Sequence, residues 1–112
     1  MDRGQPLIIL PLFDGTNYAY WKVRMRAFLQ SLDEKVWRSI KIGWTKPKEA
    51  PANWDEAKIK VANFNSRALN ALFSAVTNQE FKKISSNETA KEAWTIFQTT
   101  YEGTKAVKDL KL

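Results

Sequence analysis

The sequence contains no cysteine and no histidine. These absences exclude disulfides, thiol nucleophiles, zinc sites built from Cys and His, and the commonest general base at neutral pH. The remaining Ser, Lys and carboxylate residues stand in no catalytic motif, and there is no glycine-rich phosphate loop. We therefore expect a protein that is not an enzyme and that has no cofactor or metal site.

Long apolar runs are also missing. The only early one, LIIL at residues 7–10, is too short for a membrane span or for the core of a signal peptide. The sequence therefore predicts an intracellular, cytoplasmic chain with no membrane partner.

What is present indicates one packed domain. A chain of 112 residues can bury about two-thirds of its unfolded surface around a single core. Apolar residues make up 44% of it and five are Trp, which disfavours disorder. The net charge of +6 is spread evenly, with +2 in each of the ranges 1–32, 33–60 and 61–112. Such a spread predicts at most a modest attraction to RNA.

The turn residues Asp14, Gly15 and Asn17 stand directly before a helical pattern. Asp-Gly-Thr is not the Asp-Thr/Ser-Gly order of an aspartic protease, so we interpret the stretch as a turn and a helix cap. The side-chain oxygen of Asn17 is expected to accept a backbone N–H, while Gly15 lets the chain turn. The sequence predicts a helix over residues 18–32.

This helix carries two apolar stripes. The larger one follows steps of three and four residues and is expected to face the core. The smaller one, Tyr20, Val23 and Ala27, lies almost opposite. Either the segment at 7–13 or another subunit could cover it, and the sequence does not choose between them. We nominate this stripe, together with residues 7–10, as a candidate assembly surface.

Further helical patterns complete an all-α fold, a compact bundle of about five helices. Asp33 is predicted to cap a short helix, and residues 54–76 form a long central helix. Two more helices are predicted to begin at the capping-box spacings Thr77–Glu80 and Thr89–Glu92. An extended segment and turn (1–16) precede the helical lobe (17–103), which ends at the C-cap Gly103, and 104–112 starts a truncated helix. The predicted core residues are Phe13, Tyr18, Trp21, Met25, Trp37, Trp94, Phe97 and Tyr101.

The densest basic stretch lies around the loop after the second helix. A solvated surface is the ordinary interpretation, and contact with RNA phosphates, weak and independent of base sequence, is the alternative. Trp44 and Trp54 flank this loop and are the aromatics most expected to be exposed to a partner. The candidate phosphate contacts are Lys35, Arg38, Lys41, Lys46 and Lys48.

Several pieces of the chain together resemble the N-terminal part of the Gag polyprotein of copia-type long-terminal-repeat retrotransposons, particularly plant ones. The pieces are FDGTNYAYWKVRM (13–25), VWRSI (36–40) with Gly43, TAKEAW (89–94), YEGT (101–104) and VKDLKL (107–112). The resemblance implies a capsid domain, usually two-lobed, that self-assembles into virus-like particles packaging the element's RNA. The zinc knuckle common in Gag proteins is absent from this sequence. The alternative is a host-adopted Gag lobe that binds a peptide or protein in a groove between helices.

Overall fold

The first two helices begin at the positions that the turn residues predict. The computed structural model describes residues 9–102, and within it α1 spans Tyr18–Leu32 and α2 spans Glu34–Lys41. The side chain of Asp33 accepts the Lys35 backbone N–H at 2.8 Å, which satisfies one of the unpaired donors at the start of α2. The sequence therefore places both helices correctly.

The longest helix is shorter than predicted. α3 spans Glu56–Ser74, after a 3₁₀ turn at Pro51–Asn53. Its first residue follows Asp55, whose side chain accepts the Lys58 N–H at 2.9 Å. At the other end, Val76 leaves the helix because it forms a parallel β-bridge with Phe13. The helix packs mainly against α2 and α5, while α2 contacts α1, α3 and α5, so α3 is less central than expected.

Two further helices complete the described part of the chain. α4 spans Asn78–Ile84 and α5 spans Ala90–Glu102. Thr89 accepts the Glu92 N–H at 3.2 Å, as the capping-box spacing predicts. Thr77 occupies the N-cap position of α4, but its side chain makes no capping hydrogen bond, so the capping box predicted at Thr77–Glu80 is wrong. The prediction of an all-α fold with about five helices is confirmed.

The core lies where the faces of α1, α2, α3 and α5 meet. Most predicted core residues have little or no exposure, whereas Trp94 and Tyr101 are partly buried against the core. The helical spacing of apolar residues in the 54–76 pattern predicts that Val61 is buried. It is instead 50% exposed, because the first turns of α3 extend past the core. The fully buried predicted core residues are Phe13, Trp21, Met25 and Phe97, and Tyr18 and Trp37 are buried almost completely.

Some predictions lie outside the described residues. They are the first two residues of the 7–10 run, the C-cap at Gly103 and the helix at 104–112. Between residues 9 and 102, no helix combines the length and the apolar character needed to cross a membrane.

Candidate functional site

A stack of aromatic rings fixes how α1 is rotated against the rest of the lobe. The Trp21 ring stacks on Phe13 with centroids 5.0 Å apart and on Trp94 at 5.6 Å. The Trp21 indole N–H donates to the Pro11 carbonyl at 3.1 Å, so the polar end of the buried ring has a partner. Trp94 in turn meets the edge of Trp37 at 5.3 Å. This stack sets which face of α1 remains outside.

The backbone of Phe13 ties the N-terminal segment to the end of α3. Its N–H donates to the Ala75 carbonyl at 2.8 Å, and its carbonyl accepts the Thr77 N–H at 3.0 Å. The buried Phe13 side chain then joins the aromatic stack described above. A segment that periodicity could only describe as extended is therefore anchored by backbone as well as by side-chain contacts.

The turn at residues 14–17 satisfies its own hydrogen bonds. The Asp14 carboxylate accepts the Thr16 N–H at 2.9 Å and the Thr16 hydroxyl at 2.6 Å, and these bonds lower the pKa of Asp14. Asn17 occupies the N-cap position but its predicted capping bond is wrong. Its amide faces backwards, accepting the Asp14 N–H at 3.2 Å and donating to the Leu12 carbonyl at 2.9 Å. The role of this turn is therefore structural: its hydrogen bonds fix the path of the chain into α1.

Gly15 lies against a buried carboxylate. Its φ of +96° is disfavoured for residues with a side chain, and a Cβ there would stand 2.8 Å from Glu80 Oε2. Glu80 is only 4% exposed; it accepts the Tyr101 hydroxyl and lies 3.3 Å from Lys83 Nζ. In the sequence, Glu80 stands out only as the last residue of a capping-box spacing, and no local pattern indicates its contacts with Tyr101 and Lys83. The turn at residues 14–17, α4 and α5 therefore meet at the Glu80 side chain.

We expect Gly15→Ala to lower the free energy of unfolding by roughly 1–3 kcal/mol, because it adds backbone strain and a close approach to Glu80. Chemical denaturation followed by circular dichroism measures it. Gly43→Ala is the matched control, since Gly43 has a similar φ of +90° but faces the flexible Lys91 side chain. A smaller loss for Gly15→Ala than for Gly43→Ala would contradict the role of the Glu80 contact.

The second stripe of α1 remains uncovered by residues 9–102. Tyr20 and Val23 are each 63% exposed, Ala27 is exposed, and Ile9 is 72% exposed. We call these four residues the α1 patch. Residues 9–13 lie beside the stripe instead of over it, and the groove between them is lined by Ile9, Pro11, Val23, Arg24, Ala27 and Phe28.

The α1 patch is bordered by positive charge. α1 contains Lys22, Arg24 and Arg26 and no acidic residue. Lys22 forms an ion pair with Glu102, whereas within the described part of the chain neither arginine has a salt bridge. Arg24 lies over the Tyr20 ring, with its guanidinium carbon 5.5 Å from the ring centroid. The patch therefore offers apolar surface with a cationic edge.

The predicted phosphate contacts do not gather into one site. All five are exposed, and Lys35, Arg38 and Lys41 lie on the outer face of α2, opposite its buried residues. Lys46 and Lys48 belong to the following loop. Their contact with RNA phosphates stays a prediction. In the described ranges, no group of three or more acidic residues converges as a metal site would require.

The loop tryptophans are less exposed than expected. Trp44 and Trp54 are both half-buried and meet edge to face with centroids 6.3 Å apart. The Trp54 indole N–H donates to the Glu49 carbonyl at 2.9 Å, and Lys58 Nζ pairs with the Glu49 carboxylate at 2.9 Å. These contacts hold the basic loop against the start of α3.

Comparison with known proteins gives one family match. A family model described as "Domain of unknown function (DUF4219)" matches residues 13–37, which cover the turn, the whole of α1 and the first half of α2. That domain is found in Gag and polyprotein regions of plant retrotransposons. Neither the curated proteins nor the solved structures give a match. These findings define an all-α chain in which residues 13–37 are similar to the DUF4219 family.

Proposed function

We propose that this chain is the first capsid lobe of a copia-type retrotransposon Gag protein, and that it self-associates through the α1 patch into particles that package the element's RNA. The observation that carries the proposal is the exposure of Tyr20 and Val23, 63% each, on a helix whose other face is buried in the core. Contiguous apolar surface of this kind is typical of interaction sites.

The energetics suit assembly by repeated weak contacts. Complete burial of a Val or Ile side chain is worth about 1.5–3 kcal/mol, so Val23 and Ile9 together give a contact that is weak on its own. Closed symmetry repeats the contact in every copy, and linked contacts raise the overall affinity. The DUF4219 match supports the Gag assignment because it covers this same helix.

We expect Val23→Asp to weaken self-association more than tenfold, which corresponds to about 1.4 kcal/mol, because burying an unpaired carboxylate in an apolar contact is costly. Light scattering over a concentration series measures it, and circular dichroism reports whether the monomer stays folded. Ser66→Asp is the matched control, since it adds the same charge at an exposed position of α3 outside the α1 patch. Unfolding of the Val23→Asp monomer, or undiminished association, would refute the assignment of this stripe.

Any contact with RNA is proposed as a secondary, electrostatic one. Lys35, Arg38 and Lys41 share an exposed face, so their contact with phosphates would weaken with added salt and depend little on base sequence.

A second candidate function is favoured by a different groove. Between α1 and α3, apolar side chains of Leu10, Phe28, Leu32 and Ala71 line an open groove with Arg67 at its edge. An amphipathic peptide fits such a surface, which supports a host-adopted lobe that binds peptides or proteins. The full-length coding sequence discriminates between the candidates. Protease, integrase and reverse-transcriptase segments downstream favour an element's Gag, whereas fusion to unrelated domains favours the binding module.

A further inference from the structure

Exposed large apolar side chains gather in two places on the described surface. One is the α1 patch. The other surrounds the α2–α3 loop, where Ile42 is 68% exposed and Val61 is 50% exposed. A third groove lies here, and its lining includes Trp44, Pro47, Glu49, Asp55 and Val61. We call it the loop groove, and it shares no lining residue with the groove beside the α1 patch.

The charges on α1 disfavour a contact between two α1 patches. In a two-fold interface the same surface occurs on both sides, so each patch would meet its own copy. Arg24, which lines the groove beside the patch, would then approach the positively charged α1 of the second copy, and α1 carries no acidic residue to separate them. Like charges brought together at an interface cost free energy and reduce the association rate. The α1 patch is better suited to a surface bearing carboxylates.

The loop groove is such a surface. Two carboxylates line it, those of Glu49 and Asp55, and the cation among its lining residues is Lys58. Lys58 is already paired with Glu49, and its hydrogen bond lowers the pKa of that carboxyl group. Asp55 uses Oδ1 to cap α3, and no hydrogen bond within residues 9–102 occupies its Oδ2. Lys46 and Lys48 belong to the same loop but do not line the groove.

We propose that copies of this chain associate head to tail, with the α1 patch of one copy seated in the loop groove of the next. Val23 then packs against the apolar wall formed by Trp44, Pro47 and Val61, and Arg24 faces the carboxylate of Asp55. The inference rests on the proposed self-association and specifies its geometry. A head-to-tail contact leaves one free groove and one free patch at the ends of any open chain, so it produces closed rings or extended filaments, never a closed two-fold dimer.

Complementation between two variants tests this geometry. Val23→Asp damages the α1 patch and leaves the loop groove intact, while Val61→Lys does the reverse, because it adds a positive charge to the groove that receives Arg24. We expect each variant alone to remain monomeric at concentrations where the unmodified chain associates. An equimolar mixture is expected to form a one-to-one dimer that grows no further, because the only compatible pair is the intact patch of one variant and the intact groove of the other. Sedimentation velocity resolves these species.

The outcomes distinguish a failure of the head-to-tail geometry from a failure of self-association itself. If Val61→Lys associates like the unmodified chain, or if the mixture contains only monomers, the head-to-tail geometry is overturned while self-association stands. If the unmodified chain stays monomeric throughout the concentration series, self-association itself fails and the geometry fails with it. Circular dichroism checks folding of each variant. Thr45→Lys is the replacement if Val61→Lys does not fold, since Thr45 is an exposed lining residue of the same groove.

Discussion

Replacement of Trp21 by Ala is expected to lower the free energy of unfolding by about 3–5 kcal/mol, the range for removing a large aromatic side chain from a packed core. Trp21 has no exposed surface and lies between the rings of Phe13 and Trp94. The substitution also leaves the Pro11 carbonyl without its indole donor. A domain of this size is stabilised by roughly 5–15 kcal/mol, so the loss is a large fraction of the total.

Thermal denaturation measures this effect. Circular dichroism at 222 nm is the suitable signal, because the substitution itself alters the tryptophan fluorescence. We expect the midpoint to fall by more than about 10 °C. Trp54→Ala is the matched control, since Trp54 is half-buried outside the core cluster and should cost less than about 2 kcal/mol. Equal losses for the two variants would contradict the central position of Trp21 in the fold.

Asn65→Ala is expected to destabilise the fold by roughly 2–4 kcal/mol, because it removes two hydrogen bonds of a buried side chain and leaves two backbone groups without these partners. Asn65 is 2% exposed. Its amide donates to the Glu88 carbonyl at 3.0 Å and its oxygen accepts the Ala90 N–H at 2.9 Å. The side chain therefore joins α3 to the first residue of α5.

Denaturant titration gives the size of this loss, and Asn70→Ala on the same helix is the control. Asn70 is exposed, so its replacement should change stability by no more than about 0.5 kcal/mol. Hydrogen exchange adds a local readout, since the Ala90 amide should lose protection in Asn65→Ala. An unchanged exchange rate at Ala90 would show that Asn65 does not hold the start of α5.

Helix positions were readable from the sequence wherever the signal was local. The steps between Tyr18, Trp21 and Met25 predicted α1, and Asp33 predicted the start of α2. Contacts between distant residues leave no such local mark. The β-bridge between Phe13 and Val76 and the Asn65 bonds to the loop before α5 join residues that are far apart in the chain. Propensity and periodicity describe neighbours on one element, so they missed these contacts.

The candidate site was predictable in position but not in surroundings. Periodicity placed Tyr20 and Val23 on a face opposite the buried stripe, but it left open whether residues 7–13 cover them. That depends on the Phe13 bridge, which directs residues 9–13 alongside the stripe. For Asn17 the predicted contact is wrong. Its residue type predicted a helix cap, whereas its amide closes the preceding turn. Asn suits both roles, and only the three-dimensional contacts decide between them.

The most direct test of the α1 patch as a self-association surface is a dilution series of methyl NMR spectra of the unmodified chain. The methyl resonances of Val23 and Ile9 are predicted to shift with protein concentration, because both side chains are exposed in the monomer and buried in the contact. The resonances of the fully buried Leu72 and Ile84 are predicted to stay in place. Val23 and Ile9 resonances that stay constant while the average particle size grows would contradict the account.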